Sequence, residues 1–119
     1  MVLFWHRRDL RITDNAGLFK ALKENEQVQP VFIFDASILS ELPRNDQRVR
    51  FIHQEIQRVK KEYQELGSDL KVYFGNPIEI IPTVASQLAC SAVYTNRDYE
   101  PYALERDKQI FASLEDLGI

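Results

Sequence analysis

Four short apolar runs, each followed by a helix-type pattern, constrain this chain more than any other feature of it. They are Val2-Leu3-Phe4-Trp5, Pro30-Val31-Phe32-Ile33-Phe34-Asp35, residues 70–74 and Ala92-Val93-Tyr94-Thr95, all rich in β-branched and aromatic side chains. Runs that are continuously apolar, rather than alternating, belong to strands covered on both faces, which is the signature of a parallel sheet. Pro30 is tolerated where a strand starts, and Asp35 ends the second run.

The segments between these runs repeat with helical period. Ala16, Leu18, Phe19, Ala21 and Leu22 give a short amphipathic helix, capped by Asp14 or Asn15 and ending in the polar run 23–27. Val49, Ile52, Ile56, Val59, Tyr63 and Leu66 are spaced by three and four residues, which predicts a long helix that Gly67 stops. Gly75-Asn76-Pro77 supplies a turn, a cap and a proline at the first helical position. Ile78, Ile81, Val84, Ala85 and Leu88 then face a core, with Pro82 expected to split or kink the helix because it removes one N–H and crowds the preceding turn. From Ala103 a last helix carries Ile110, Phe111, Leu114 and Leu117, before a C-cap glycine at Gly118. Four strand-to-helix steps predict a parallel α/β sheet with helices on both faces, joined by right-handed crossovers. A length of 119 residues fits one domain around one core.

Several function classes find no support. No glycine-rich dinucleotide fingerprint follows the first strand, and no phosphate-cradling Walker sequence occurs. Cys90 is the only cysteine, so no internal disulfide forms, and His6 and His53 lie far apart, which gives a metal site little support. The expected setting is a reducing cytoplasm. The N-terminal apolar run is too short for a signal peptide or membrane span. A net charge of -3 argues against a general nucleic-acid-binding surface.

Two loops carry the chemical interest. Arg7, Arg8, Asp9 and Arg11 follow the first strand, and residues 96–102 (NRDYEPY) follow the fourth. In open α/β sheets such loops lie at the carboxyl ends of strands, where ligands bind. The arginines suit an anionic or planar polar ligand, a docking surface, or simply a solvated basic turn. Asp9, Asp14, Asp35, Asp98 and Glu100 fall near strand ends, where caps and loop ion pairs are their expected roles. No catalytic residue is assigned.

FWHRRDLRITDN, from Phe4 to Asn15, closely resembles the N-terminal signature of the cryptochrome and DNA photolyase family. YEPYALERD, PVFIFD and QRVRFI fall in that family's order, so the likeness covers essentially the whole chain. The resemblance implies a Rossmann-like three-layer α/β/α domain whose parallel sheet has the order 3-2-1-4-5, with the fifth strand truncated here and the fourth left as an edge through which copies associate. It implies a larger C-terminal helical domain, absent from this chain, that holds flavin adenine dinucleotide (FAD) and receives a flipped pyrimidine dimer from damaged DNA. The implied activity is that of a deoxyribodipyrimidine photolyase: an excited flavin donates the electron that splits a cyclobutane dimer. This domain would bind an antenna pigment and dock to the flavin domain. A cryptochrome photoreceptor is the alternative, and a non-photochemical nucleotide-binding domain a more distant one.

By the same resemblance, to members with a deazaflavin or flavin antenna, the pocket residues are Arg8, Phe32, Phe34, Arg48, Asp98 and Glu100. Phe32 or Phe34 would offer an apolar wall to a flat ring, and Arg8 or Arg48 would fix polar ring atoms or stack as planar cations. Asp98 and Glu100 would accept hydrogen bonds. Phe32 and Phe34 share one strand face, so without the resemblance core packing is the favoured account of them, and Arg48 equally suits a solvated first helical turn. Folate-antenna members carry an Asn-Glu pair where this chain has Tyr102-Ala103, which counts against methenyltetrahydrofolate.

Overall fold

A computed structural model describes residues 1–7, 10–35, 47–96 and 100–119, with backbone alone for 47–49. Strands β1 (Val2–His6), β2 (Val28–Asp35), β3 (Lys71–Gly75) and β4 (Val93–Thr95) alternate with helices α1 (Ala16–Glu24), α2 (Gln47–Glu65), α3 (Pro77–Gln87) and α4 (Pro101–Asp116). All strand pairs are parallel, and the order is β3-β2-β1-β4. The expected α/β architecture is thus present, with the first four strands in the expected order.

Alternation along the strands divides the core into two layers. Leu3, Trp5, Val31 and Ile33 point to the face covered by α3 and α4, where Ile81, Val84, Ala85, Ile110 and Leu114 meet them. Phe4, Phe32 and Phe34 point to the other face, against Leu18 and Ala21 of α1 and Ile56, Val59 and Tyr63 of α2. Because successive side chains of a strand face opposite ways, a strand buried on both sides must be apolar at every position. All five residues of β1 are buried. Pro30 pairs with Phe4 of β1, whereas β3 joins β2 only from Val31 onward. The residue without an N–H therefore stands ahead of the β2–β3 ladder and interrupts none of it.

Some apolar positions expected in the core lie outside it. Phe19 and Leu22 of α1, Leu66 beyond α2, and Phe111 and Leu117 at the end of the chain are all more than half exposed. Each helical residue turns about 100° from its neighbour. Once Leu18 and Ala21 face the sheet, Phe19 and Leu22 are carried round to solvent.

Pro82 does not split α3, which runs unbroken from Pro77 to Gln87. Pro82 is itself buried, next in sequence to the core residue Ile81.

Of the two candidate caps for α1, Asn15 is the one used: its side-chain oxygen accepts from the Leu18 N–H at 3.1 Å. Asp14 instead holds a left-handed φ of 51° in the turn before it. Gly67 ends α2 as expected, at φ 84°, with the Ser68 N–H bonded back to the Tyr63 carbonyl at 2.8 Å. No helix among the described residues is long and apolar enough to cross a membrane.

Candidate functional site

The sheet order creates a switch point. From β1 the chain crosses to β2 on one side, while β4, reached through α3, pairs with β1 on the other. Connections leaving in opposite directions open a crevice at the carboxyl ends of the central strands. A cleft of about 210 Å3 lies there, lined by Trp5, His6 and Arg7 of the β1 end, Phe32, Ile33 and Asp35 of the β2 end, Ile52, Pro77, Tyr102 and Arg106.

Two arginine–aspartate pairs build its polar wall. Arg7 reaches α4 with both terminal nitrogens, donating to Asp107 at 2.8 and 2.6 Å and to the Asn96 carbonyl at 3.2 Å. From the adjacent position of α4, Arg106 donates to Asp35 at 2.9 Å. Both guanidinium carbons lie over the Trp5 ring, at 4.6 Å for Arg7 and 5.2 Å for Arg106, and Arg106 lies 5.2 Å from the Tyr102 ring centre. Such contacts strengthen as water is removed. Here the cations are largely buried: the Arg7 side chain is 5% exposed and that of Arg106 11%. Each has a carboxylate partner, so the four charged groups sum to zero.

Beneath this wall, the buried His6 ring meets the Tyr63 hydroxyl at 2.5 Å, and its edge packs against Phe4 at 4.8 Å between ring centres. Asn96, at the end of β4, stitches the remaining elements together. Its amide donates to Asn15 at 2.7 Å and accepts from the Gly17 N–H at 2.9 Å. The first and fourth strands are thereby fixed to the start of α1.

Of the residues expected in an antenna pocket, Phe32 lines the cleft and is also part of the core. Phe34 is core, stacked on the exposed Phe74 ring at 4.7 Å and against His53 at 4.6 Å. Glu100 stands exposed at the start of α4. Arg8, Asp98 and the Arg48 side chain lie outside the described residues. Trp5, Arg7, Asp35, Tyr102 and Arg106 line the cleft without having been among the expected antenna-pocket residues. Arg7 and Tyr102 fall in the two loops singled out from sequence, Asp35 was expected as a cap or loop ion pair, and Arg106 lies in the ERD of YEPYALERD, quoted for its likeness and given no role. Among the described residues no group of acidic, histidine or cysteine side chains could hold a metal ion.

The family model described as DNA photolyase matches residues 2–119. A deoxyribodipyrimidine photo-lyase from Synechococcus sp. is 42% identical over 118 residues, covering 99% of this chain and 24% of the relative. A cryptochrome DASH from Gloeobacter violaceus is 34% identical, covering 99% of this chain and 25% of that protein. Among solved structures, the archaeal photolyase from Sulfolobus tokodaii, described with two FAD molecules and a novel light-harvesting cofactor, superposes with a TM-score of 0.85 at 33% identity. That match covers 99% of this chain and 27% of the other. The chain thus spans about a quarter of the length of these three relatives.

Proposed function

Because the chain belongs to the DNA photolyase family, we propose that it is the N-terminal domain of a deoxyribodipyrimidine photolyase, and that its cleft holds a light-harvesting chromophore for that enzyme. The carrying observation is the cleft at the end of β1, where Trp5, Tyr102 and Phe32 give aromatic walls and Arg106 and Asp35 give convergent polar groups. Ligand sites are mostly apolar with a few placed polar groups, and this composition fits a flat heteroaromatic pigment. When bound, such a pigment would absorb light and pass the excitation on to FAD in a C-terminal helical domain.

This chain's own residues bind and orient. The Arg7–Asp107 pair fixes α4 against β1, and Trp5 forms the floor on which a flat ring can rest. The buried His6–Tyr63 contact stiffens that floor from below. A net charge of -3 counts against a general nucleic-acid-binding surface, so a DNA contact of the whole protein would be local here or lie elsewhere in it.

Blue-light irradiation of the whole protein with ultraviolet-damaged DNA should remove cyclobutane pyrimidine dimers, with no loss in the dark. The 119-residue chain alone should neither retain FAD nor remove dimers. A whole protein that absorbs blue light but leaves dimers intact would instead support the photoreceptor reading, which the likeness to a cryptochrome DASH favours.

A further inference from the structure

The two electron-rich rings of the cleft each carry an arginine. Trp5, the only tryptophan of the chain, and Tyr102 both line the cleft. The guanidinium carbon of Arg7 lies over the Trp5 ring at 4.6 Å from its centre, and that of Arg106 lies 5.2 Å from the centres of both Trp5 and Tyr102. The third aromatic wall, Phe32, has neither an indole nor a phenol and gives up an electron far less readily.

A flat heteroaromatic ring excited by visible light is a strong one-electron oxidant, and indole and phenol are the rings it oxidises most easily. An electron that leaves Trp5 for such a ring and then returns consumes nothing, but the excitation is lost as heat. For the duration of that step Trp5 is a radical cation. A guanidinium stays charged, so it attracts the neutral ring face and repels the same ring once it is positive. The repulsion is strongest where water is scarce, and here Trp5 is buried while the Arg7 and Arg106 side chains are only 5% and 11% exposed. The carboxylate partners weaken this field without replacing it at the ring. Asp107 accepts from both terminal nitrogens of Arg7, which puts the carboxylate beyond the guanidinium fork and not between the cation and the indole.

We propose that Arg7 and Arg106 guard the excited state of a pigment in the cleft: positive charge held over Trp5 and Tyr102 slows electron transfer from these rings, so that more of the excitation survives to be passed on. This rests on the chromophore reading above and deepens it, since it concerns how long a bound ring stays excited and not which ring is bound. Trp5 then serves as an aromatic floor with less of the quenching that an uncovered indole would bring.

Lumiflavin is the probe, added to the full chain, with affinity from equilibrium dialysis and the quenching rate of the bound fraction from time-resolved fluorescence. Arg106→Gln removes one cation and should raise that rate at least about fivefold. Asp35→Asn removes the partner anion and leaves the cation in place, so it should leave the rate unchanged or lower it. Loosened packing would instead speed quenching in both variants, and that result would overturn the proposal. A quenching rate in Arg106→Gln equal to that of the wild type, even with altered affinity, would also overturn it and leave the chromophore reading standing. If Arg106→Gln does not fold, Asp35→Asn decides alone: faster quenching there overturns the proposal, and slower quenching supports it. If the folded wild-type chain binds no lumiflavin, the chromophore reading falls and this inference with it.

Discussion

Arg7 and Arg58 are each held by carboxylates at hydrogen-bonding distance, in settings that differ in almost every other respect. Arg7 joins β1 to an aspartate 100 residues later, and its side chain is 5% exposed. Arg58 lies on the solvent side of α2 and pairs with Glu55 and Glu62 of its own helix, at 46% exposure. The pair at the switch point ties distant elements together, since the helix carrying Asp107 cannot shift without taking two hydrogen bonds from a buried guanidinium. The α2 network mostly decorates a helix that packing already holds through Ile56, Val59 and Tyr63. Number and length of ion pairs therefore say little about their worth until burial and sequence separation are known.

The largest effect should come from Asp107→Ala. It removes two charge-assisted hydrogen bonds from a desolvated guanidinium, and a loss of about 3 kcal/mol in denaturant stability is expected, as for breaking a buried pair from one side. A loss below about 1 kcal/mol would put this pair in the same class as Arg58 and dissolve the contrast.

Gly17→Ala should follow. In an open helix the change would stabilise by about 1 kcal/mol. Here an added Cβ would meet the Asn96 Oδ1 at 2.6 Å and the Phe4 ring at 3.1 Å. The Asn96 amide is held by Asn15 and by the Gly17 N–H, so it has little room to yield. Crowding should win, with a net loss of about 1 to 2 kcal/mol by thermal unfolding. Paired with Asn96→Ala, the loss should be smaller than the sum of the two single changes, because the clash and the lost hydrogen bond share one side chain.

The difference between these regions also explains what could be read from sequence. The sheet was legible because continuous apolar runs have few other uses, and Phe32 and Phe34 lie in the core that their shared face indicated. The cap was legible only as Asp14 or Asn15, since both side chains suit it and only backbone geometry separates them. The Arg7–Asp107 and Arg106–Asp35 pairs were not legible. A charge 100 or 71 residues away leaves no periodicity, and the arginine-rich loop was equally a solvated turn until α4 was in place. Leu66, Phe19 and Phe111 misled in the opposite direction, because apolar identity was read as burial when the helix phase turned them outward.

A smaller effect tests the exposed side of the comparison through pH. The Lys60 ammonium, 2.9 Å from Asp69, holds that carboxyl below its usual range, with the Leu70 N–H adding to the shift. A carboxyl lowered on folding adds stability above its unfolded pKa of about 3.9, and the gain fades as pH falls through the lower folded value. Asp69→Asn should therefore lower the melting temperature slightly at pH 6 and leave it unchanged near pH 2. Asp69 is half exposed, so solvent screening should hold the gain to a few tenths of a kcal/mol. A difference persisting undiminished at pH 2 would assign the effect to packing rather than charge.

The smallest effect should be Glu62→Gln, which weakens one of Arg58's partners and leaves Glu55 at 2.8 Å. Less than about 0.5 kcal/mol is expected, the usual range for an exposed helical pair. Arg58 has one contact that the exposed class ordinarily lacks: its Nη2 donates at 2.9 Å to the carbonyl of Leu10, 48 residues earlier, in the segment that follows β1. Arg58→Ala removes that tertiary bond together with both carboxylate pairs, so it should cost more than Glu62→Gln, by roughly the 0.5 to 1.5 kcal/mol that one hydrogen bond contributes. The two variants measured side by side separate the surface pairing from the link to Leu10. Equal losses would mean that the Leu10 contact adds nothing in solution and that α2 is tied to the switch point by its apolar face alone. A markedly larger loss for Arg58→Ala would show that long-range attachment gives a side chain worth even where burial does not.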